Sequence, residues 1–158
     1  MRILWDLEVT SLCPTVSLSI VASDLDSAML SRARAGCYAP ASLRELPPAL
    51  LEHAFSDAGS QYCIRPKYRQ GIEFIEQDLR TQLPSQVFDL VLCRNVVFTY
   101  FAVPLQRRVL EGIATRLRPC GYMMIGSHEQ LPQEVPELMV ITDARQIFQK
   151  RVRSDGVA

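Results

Sequence analysis

Glycine is scarce in this sequence of 158 residues, and it is unevenly placed. Seven glycines occur, and the first of them is Gly36. No G-x-G-x-x-G segment exists, so the tight turn that brings backbone N–H groups close to a dinucleotide phosphate is missing. This absence makes a nucleotide-binding oxidoreductase a weak hypothesis.

The sequence also lacks a net charge and a long apolar run. Seventeen basic residues balance seventeen acidic ones, so no large field favours nucleic acid or a membrane surface. No apolar run reaches the roughly 18 residues that a membrane-spanning helix needs, and Asp6 and Glu8 interrupt any signal-peptide core. We therefore expect a cytoplasmic protein with no nucleic-acid partner and no membrane insertion.

Close cysteine pairs are missing as well. The five cysteines lie 24 or more residues apart, without a C-x-x-C motif or a Cys/His cluster that has metal-ligand spacing. We interpret Cys13, Cys37, Cys63, Cys93 and Cys120 as reduced cytosolic thiols and expect no metal site.

Apolar periodicity predicts strands that alternate with helices. The opening "MRILWDLEV" has near-helical spacing and looks like the end of a helix. Strands are predicted at 16–23, 72–78, 87–93 and 120–126, and "LMVITDARQIFQKRV" reads as two strands joined around Asp143 and Ala144. Helices are predicted at 27–36, capped by Asp26 or Ser27 and ended by Gly36, and at 104–119.

This alternation predicts an α/β fold, with a mostly parallel sheet that ends in an antiparallel hairpin. Residues from about 37 to 71 form an inserted helix and a small β-subdomain. We expect residues 1–158 to make one partial domain that has no first strand before residue 16.

Three predicted strands are followed by polar residues at their carboxyl ends, where ligands bind in such sheets. Asp24 could hold both hydroxyls of a ribose, Asp78 could accept a hydrogen bond from an exocyclic amine, and Asn95 could contact the same ligand. Together they outline a nucleoside. The alternative is that each is an ordinary turn-former or helix cap.

Four segments resemble the C-terminal catalytic domain of the chemotaxis receptor methyltransferases, the CheR family. In chain order they are "IVASDLDSAMLSRARAGCY", "SLRELP", "FDLVLCRNVVFTYF" and "QRRVLEGIATRLRPCGYMMIGSHEQLP". The resemblance runs from about residue 10 to the end. It implies a Rossmann-like fold, S-adenosylmethionine as the cofactor, and methyl transfer to glutamate side chains of chemoreceptors or receptor-like proteins.

The resemblance also implies roles for particular residues. Asp24 matches the ribose-binding acid, Asp78 and Leu79 match the adenine-contacting pair, and Asn95 and Val96 match the cofactor-contacting turn. Tyr100 matches the catalytic tyrosine near the reactive methyl, although one extra residue after Asn95 leaves its register open by one position. The small β-subdomain resembles an element that docks a receptor tail in some members.

The sequence departs from the family pattern in ways that predict impaired activity. Cys120 stands where glycine is usual, and "GSHE" replaces the commoner "GHSE". The glycine-containing cofactor loop and the N-terminal helical domain with its catalytic arginine are absent. We therefore expect this chain by itself to bind the cofactor weakly. The alternative is a noncatalytic module, derived from the methyltransferase, that binds a partner peptide.

His128 and Glu129 form a further candidate, because together they look like an acid–base pair. The commoner interpretation of "GSHEQLP" is a loop at the end of a strand.

Overall fold

The computed structural model describes residues 1–152, which fall into two compact units. The first is Met1–Gln77, and the second begins at Asp78. Each unit has its own strands and its own apolar cluster. The expectation of one domain over 1–158 stays a prediction. Within residues 1–152, no helix combines the length and apolar character needed to cross a membrane.

The first unit opens with helix and not with a strand. A short helix α1 runs directly into one π-helical segment, and a parallel strand pair, helices and a small sheet follow. In chain order the elements are α1 (Arg2–Leu4), the π-helical segment Trp5–Val9, β1 (Ile20–Asp24), α2 (Ser27–Ala35), β2 (Cys37–Tyr38), a 3₁₀ turn (Pro40–Leu43), α3 (Pro48–Ala54), β3 (Phe55–Asp57), β4 (Tyr62–Ile64), a 3₁₀ turn (Pro66–Arg69) and β5 (Ile72–Glu76). The helical reading of the opening residues is confirmed.

Strands β1 and β5 form a parallel pair in which Ile20 faces Ile72 and Asp24 faces Glu76. Strand β5 lies inside its predicted segment, whereas β1 begins four residues later than the apolar pattern suggested and ends one residue later, at Asp24. Residues 16–19 are therefore not part of the strand. The register places Asp24 at the carboxyl end of β1.

Helix α2 follows β1 as predicted, and its cap is Asp26. The Asp26 side chain accepts a hydrogen bond from the backbone N–H of Ala28 at 2.8 Å. The helix ends at Gly36, whose φ of 64° lies in the left-handed region that a glycine adopts without strain. Leu30 is its buried residue. The Asp26 cap, the Gly36 end and the burial of Leu30 together define the helix.

The small inserted sheet has the strand order β2-β4-β3, with both pairs antiparallel. Ala54, Phe55 and Tyr68 form its buried cluster. The predicted small β element is therefore present between α2 and β5.

The expectation that all five cysteines are reduced is wrong for two of them. Cys37 and Cys63 are paired across β2 and β4 in a disulfide, with their Cα atoms 4.0 Å apart. These residues are 26 positions apart in sequence, and only the strand pairing brings them face to face. Cys13, Cys93 and Cys120 are free.

The second unit has a four-stranded sheet with the order β6-β7-β9-β8. Strands β6 and β7 are parallel, whereas β9 is antiparallel to both β7 and β8, which confirms the predicted terminal hairpin. Its elements are β6 (Phe88–Cys93), α4 (Val97–Tyr100), α5 (Val103–Arg116), β7 (Leu117–Ile125), β8 (Leu138–Ile141) and β9 (Ala144–Lys150).

The core of the second unit lies between α5 and this sheet. The apolar residues Val109, Leu110 and Ile113 lie on the buried face of α5. They pack with Leu117 and Met123 of β7, and Leu110 and Met123 are completely buried. Burying one leucine of this kind contributes roughly 1.5–3 kcal/mol to folding. The core therefore fixes β6 and β7, and with them the loops that follow their carboxyl ends.

Candidate functional site

Asp24 is the last residue of β1 and is exposed. Its Oδ1 accepts a hydrogen bond from the backbone N–H of Asp26 at 2.9 Å, which makes a local turn, while the helix cap is Asp26 itself. The Gln77 N–H donates to the Asp24 carbonyl at 2.9 Å. The buried Oε1 of Gln77 has no hydrogen-bond partner within the described residues. Two side-chain acceptors therefore belong to adjacent strand ends in the first unit.

Asp78 opens the second unit, and its carboxylate is held by a neighbour. Arg80 donates from Nε to Oδ1 at 2.9 Å and from a terminal nitrogen to Oδ2 at 2.8 Å. The Arg80 backbone N–H also donates to Oδ1 at 2.9 Å. These bonds lower the pKa of Asp78, the side-chain bond from Arg80 most of all. Leu79 is half-buried and packs against the core of the second unit.

Asn95 and Val96 form a tight turn after β6. The φ of Asn95 is 57°, in the left-handed region that asparagine tolerates better than most residues. Val96 follows with φ −134° and ψ −81°, and its side chain is exposed. The turn directs the chain from the buried end of β6 into α4.

The turn is held by Glu129, a residue that lies 34 positions further along the chain. Glu129 Oε2 accepts hydrogen bonds from the backbone N–H of Asn95 at 3.0 Å and of Gly126 at 2.6 Å. Its Oε1 accepts a hydrogen bond from the Thr99 hydroxyl at 2.6 Å. Glu129 is only 7% exposed, and no other charged residue in the range 1–152 is buried. The carboxylate thus connects the end of β7 with the β6–α4 turn.

The protonation state of Glu129 follows from its contacts. Burial by itself would raise the pKa of Glu129, but the hydrogen bonds from Thr99 and from the backbones of Asn95, Gly126 and Val96 lower it below the ordinary 4.5. The side chain is therefore a carboxylate near neutral pH, which suits its role as an acceptor.

Gly126 leaves the space that this carboxylate occupies. A Cβ atom at that position would lie 2.7 Å from Glu129 Oε2 and 2.7 Å from Asn95 Oδ1. Because such separations are shorter than any van der Waals contact, a larger residue would displace one of the two side chains.

Tyr100 is the last residue of α4 and is 76% exposed. Its backbone N–H donates to the Val96 carbonyl at 3.0 Å, so the Asn95–Val96 turn and Tyr100 belong to one short segment. Val97 and Phe98, in the same segment, are buried in the core. The buried pair anchors the segment and leaves Tyr100 facing outward.

Cys93, two residues before Asn95, is an unreactive thiol. Burial raises the pKa of the Cys93 thiol to about 11, with the charge of Glu129 acting in the same direction. Cys93 is therefore a thiol at neutral pH and a packing residue at the end of β6.

The structure brings some of the predicted site residues together and leaves others apart. Asn95, Val96 and Tyr100 share one segment. Asp24 belongs to the first unit and Asp78 to the second, so their clustering with Asn95 stays a prediction. Sequence reasoning did not find Glu129 as the anchor of the turn. The sequence pointed to Glu129 only as part of a possible acid–base pair with His128. His128 is exposed, and only Glu129 has the hydrogen bonds described above.

Comparisons with known proteins agree with the observed architecture. The family model described as CheR methyltransferase, SAM binding domain, matches residues 7–147. The chemotaxis protein methyltransferase of Listeria monocytogenes is 38% identical over 112 residues, which are 71% of this chain and 42% of that protein. An uncharacterised 104.1 kDa protein of Rhodobacter capsulatus is 35% identical over 133 residues, which are 84% of this chain and 14% of that protein. The chain thus spans less than half the length of these relatives.

Among solved structures, the N-methyltransferase NodS from Bradyrhizobium japonicum WM9 has a TM-score of 0.51, with 12% sequence identity. The match covers 90% of this chain and 78% of that one. At this identity the likeness concerns the fold alone, and it agrees with a Rossmann-like α/β methyltransferase architecture.

Proposed function

The chain belongs to the family of CheR methyltransferase SAM-binding domains, and from this we propose that it is the cofactor-binding part of a protein-glutamate O-methyltransferase. The proposed cofactor is S-adenosylmethionine, and the proposed substrates are glutamate side chains of chemoreceptors or receptor-like proteins. The observation that carries the proposal is the family match over residues 7–147. The Listeria monocytogenes relative is named a chemotaxis protein methyltransferase, which supports the same reading.

The residues of the first unit suit the ribose of this cofactor. A ribose presents two hydroxyl donors, and Asp24 offers an exposed carboxylate in which only Oδ1 accepts a hydrogen bond in the described residues. The unpartnered Oε1 of Gln77 is a second acceptor on the neighbouring strand end. In our proposal these groups bind the ribose hydroxyls. Asp78 can accept from the adenine amine only if Arg80 yields part of its present bidentate contact.

The proposed reaction needs no general base from the protein. Bound S-adenosylmethionine supplies an electrophilic methyl group. A glutamate substrate has a pKa near 4.3, so at pH 7 its carboxylate is already the nucleophile and needs no general base. The task of this chain is to orient the reactants and exclude water. In the proposal Asn95 and Val96 bind the cofactor, and the exposed Tyr100 forms a wall beside the reaction.

We further propose that the 158-residue chain binds the cofactor weakly by itself. Its first glycine is Gly36, twelve residues after Asp24, so the residues before β1 offer no glycine turn to the methionine end of the cofactor. Each missing hydrogen bond to a charged acceptor is worth roughly 1.5–3 kcal/mol. Two such losses correspond to roughly two to four decades in affinity.

The cofactor part of the proposal is tested by titrating S-adenosylhomocysteine into the ¹⁵N-labelled chain. Asp24→Ala should remove the response. Asp57→Ala is a matched control, because Asp57 is also exposed and its Oδ1 also accepts a backbone N–H two residues on, from Gly59 at 2.7 Å. Asp57 lies at the end of β3 in the small sheet, so its substitution should leave binding unchanged. Equal loss in both variants, or no loss in either, would contradict the assignment of Asp24.

The reaction is tested with methyl-labelled S-adenosylmethionine and receptor peptides that carry a glutamate or a glutamine at the target position. A methyl ester is hydrolysed by mild base, so the product should be base-labile and should form only on the glutamate peptide. Cofactor binding without any transfer, even at high enzyme concentration, would favour the noncatalytic module.

A further inference from the structure

We propose that Glu129 is a positioning residue that holds the Asn95–Val96 turn in its cofactor-facing conformation, an inference that rests on the proposed function. Glu129 itself does not touch the cofactor in this proposal. It acts through the backbone of the turn, and the geometry around its carboxylate gives the reason.

The turn needs an external anchor because its own conformation is costly. A left-handed φ disfavours any residue with a Cβ atom, and Asn95 at 57° has only its side-chain polarity as local compensation. Its backbone N–H is directed to Glu129 Oε2 at 3.0 Å. A charged acceptor makes a stronger bond than a neutral one, so this contact stabilises the left-handed conformation.

The same carboxylate is fixed from two other directions. The Gly126 N–H binds Oε2 at 2.6 Å, and the Thr99 hydroxyl binds Oε1 at 2.6 Å. Gly126 follows the last residue of β7, and Thr99 lies in α4 directly before Tyr100. One buried side chain therefore sets the distances between the end of β7, the turn after β6 and the segment that carries Tyr100.

Glu129→Gln and Glu129→Ala separate the geometry from the charge. Glutamine keeps an oxygen for the two N–H donors, and its amide can donate to the Thr99 hydroxyl, which is able to accept in turn. The turn should therefore survive in Glu129→Gln and be lost in Glu129→Ala. Ile113→Val in α5 is the control for general destabilisation, because Ile113 is a buried core residue and its side chain makes none of the hydrogen bonds to Glu129.

The readouts are the backbone chemical shifts of Asn95, which report its left-handed φ, and the affinity for S-adenosylhomocysteine, both from NMR titration. We expect Glu129→Ala to lose the left-handed shifts and about tenfold in affinity, the equivalent of one charge-assisted hydrogen bond. Glu129→Gln should retain the left-handed shifts and stay within about threefold of the original affinity, while the Asn95 and Gly126 amide protons move upfield as their acceptor loses its charge. Ile113→Val should change neither readout.

Several results would overturn the inference. Left-handed Asn95 shifts in Glu129→Ala would do so, as would unmoved Asn95 and Gly126 amide protons in Glu129→Gln. If Glu129→Ala does not fold, the Glu129→Gln shifts decide alone. A chain that shows no response to S-adenosylhomocysteine would contradict the proposed function, whereas the Asn95 shifts would still decide whether Glu129 holds the turn.

Discussion

At the scale of single residues, Cys120 occupies a backbone conformation that favours glycine. Its φ is 64°, and it lies in an irregular stretch of β7 where the register against β6 shifts. The family that this chain resembles usually has glycine here, and the backbone angle gives the physical reason. A Cβ atom in the left-handed region costs roughly 1–2 kcal/mol, which the cysteine thiol does not offset by any hydrogen bond within the described residues.

Cys120→Gly should therefore stabilise the protein. Glycine loses more chain entropy on folding, so we expect a net gain of about 0.5–1 kcal/mol in the free energy of unfolding. Urea unfolding followed by circular dichroism measures it. Cys120→Ala is the control, because it removes the thiol but keeps the Cβ atom and should give no gain. A gain in the alanine variant as large as in the glycine variant would mean that the thiol, and not the angle, is the problem.

Glu129 predicts how stability depends on pH. Its pKa is lower in the folded protein than the ordinary 4.5, so the unfolded chain binds a proton more readily. The stabilisation is complete above the unfolded pKa and is lost as the pH falls through the folded one. Thermal unfolding between pH 7 and pH 3 should show a steep fall in Tm at the acidic end, and a shallower fall in Glu129→Gln. Parallel curves for the two proteins would show that the hydrogen-bonded carboxylate does not contribute.

At the scale of elements, local sequence signals were enough to predict α2. They were not enough to predict contacts between residues far apart in the chain. The cap of α2, its buried Leu30 and its glycine end all lie within eleven residues, Asp26 to Gly36. The alternating strands were found for the same reason. Cys37 and Cys63 are 26 positions apart, and Glu129 and Asn95 are 34 positions apart. No local sequence pattern predicts contacts over such separations.

Asp26→Ala should weaken α2, because the Ala28 N–H would lose its acceptor. Loss of such a cap costs about 1 kcal/mol in the free energy of unfolding. Ser27→Ala is a close control, since Ser27 is the first residue of the helix and its side chain makes no capping bond in the described structure. Urea unfolding of both variants distinguishes them. Similar losses at the two positions would assign the cap to both residues instead of to Asp26.

At the scale of the whole molecule, the sequence predicted the fold class through its pattern and the family through its motifs. It could not predict how tightly this chain binds the cofactor by itself. The chain spans 42% of the Listeria monocytogenes relative. Asp24 lies in the first unit, and Asn95 and Tyr100 lie in the second.

Adding a strand and a glycine-containing turn in front of the chain should strengthen S-adenosylhomocysteine binding at least about tenfold, since one recovered charge-assisted hydrogen bond is worth about 1.5 kcal/mol. Asp24→Ala in the longer chain should remove most of that gain, because in the proposed function Asp24 holds the ribose hydroxyls. Isothermal titration of the three proteins measures both effects. Tight binding by the 158-residue chain as it stands would contradict the prediction of weak affinity.

The edge position of β6 in the sheet of the second unit has a consequence for how the protein behaves at high concentration. Among the strands of residues 1–152, β6 pairs with β7 alone, and its Leu90 and Leu92 are 42% and 49% exposed on one face. An edge strand that carries exposed leucines is a template for strands of other molecules. Concentrated samples should therefore self-associate through this edge, and Leu90→Lys should raise the protein concentration at which light scattering first increases.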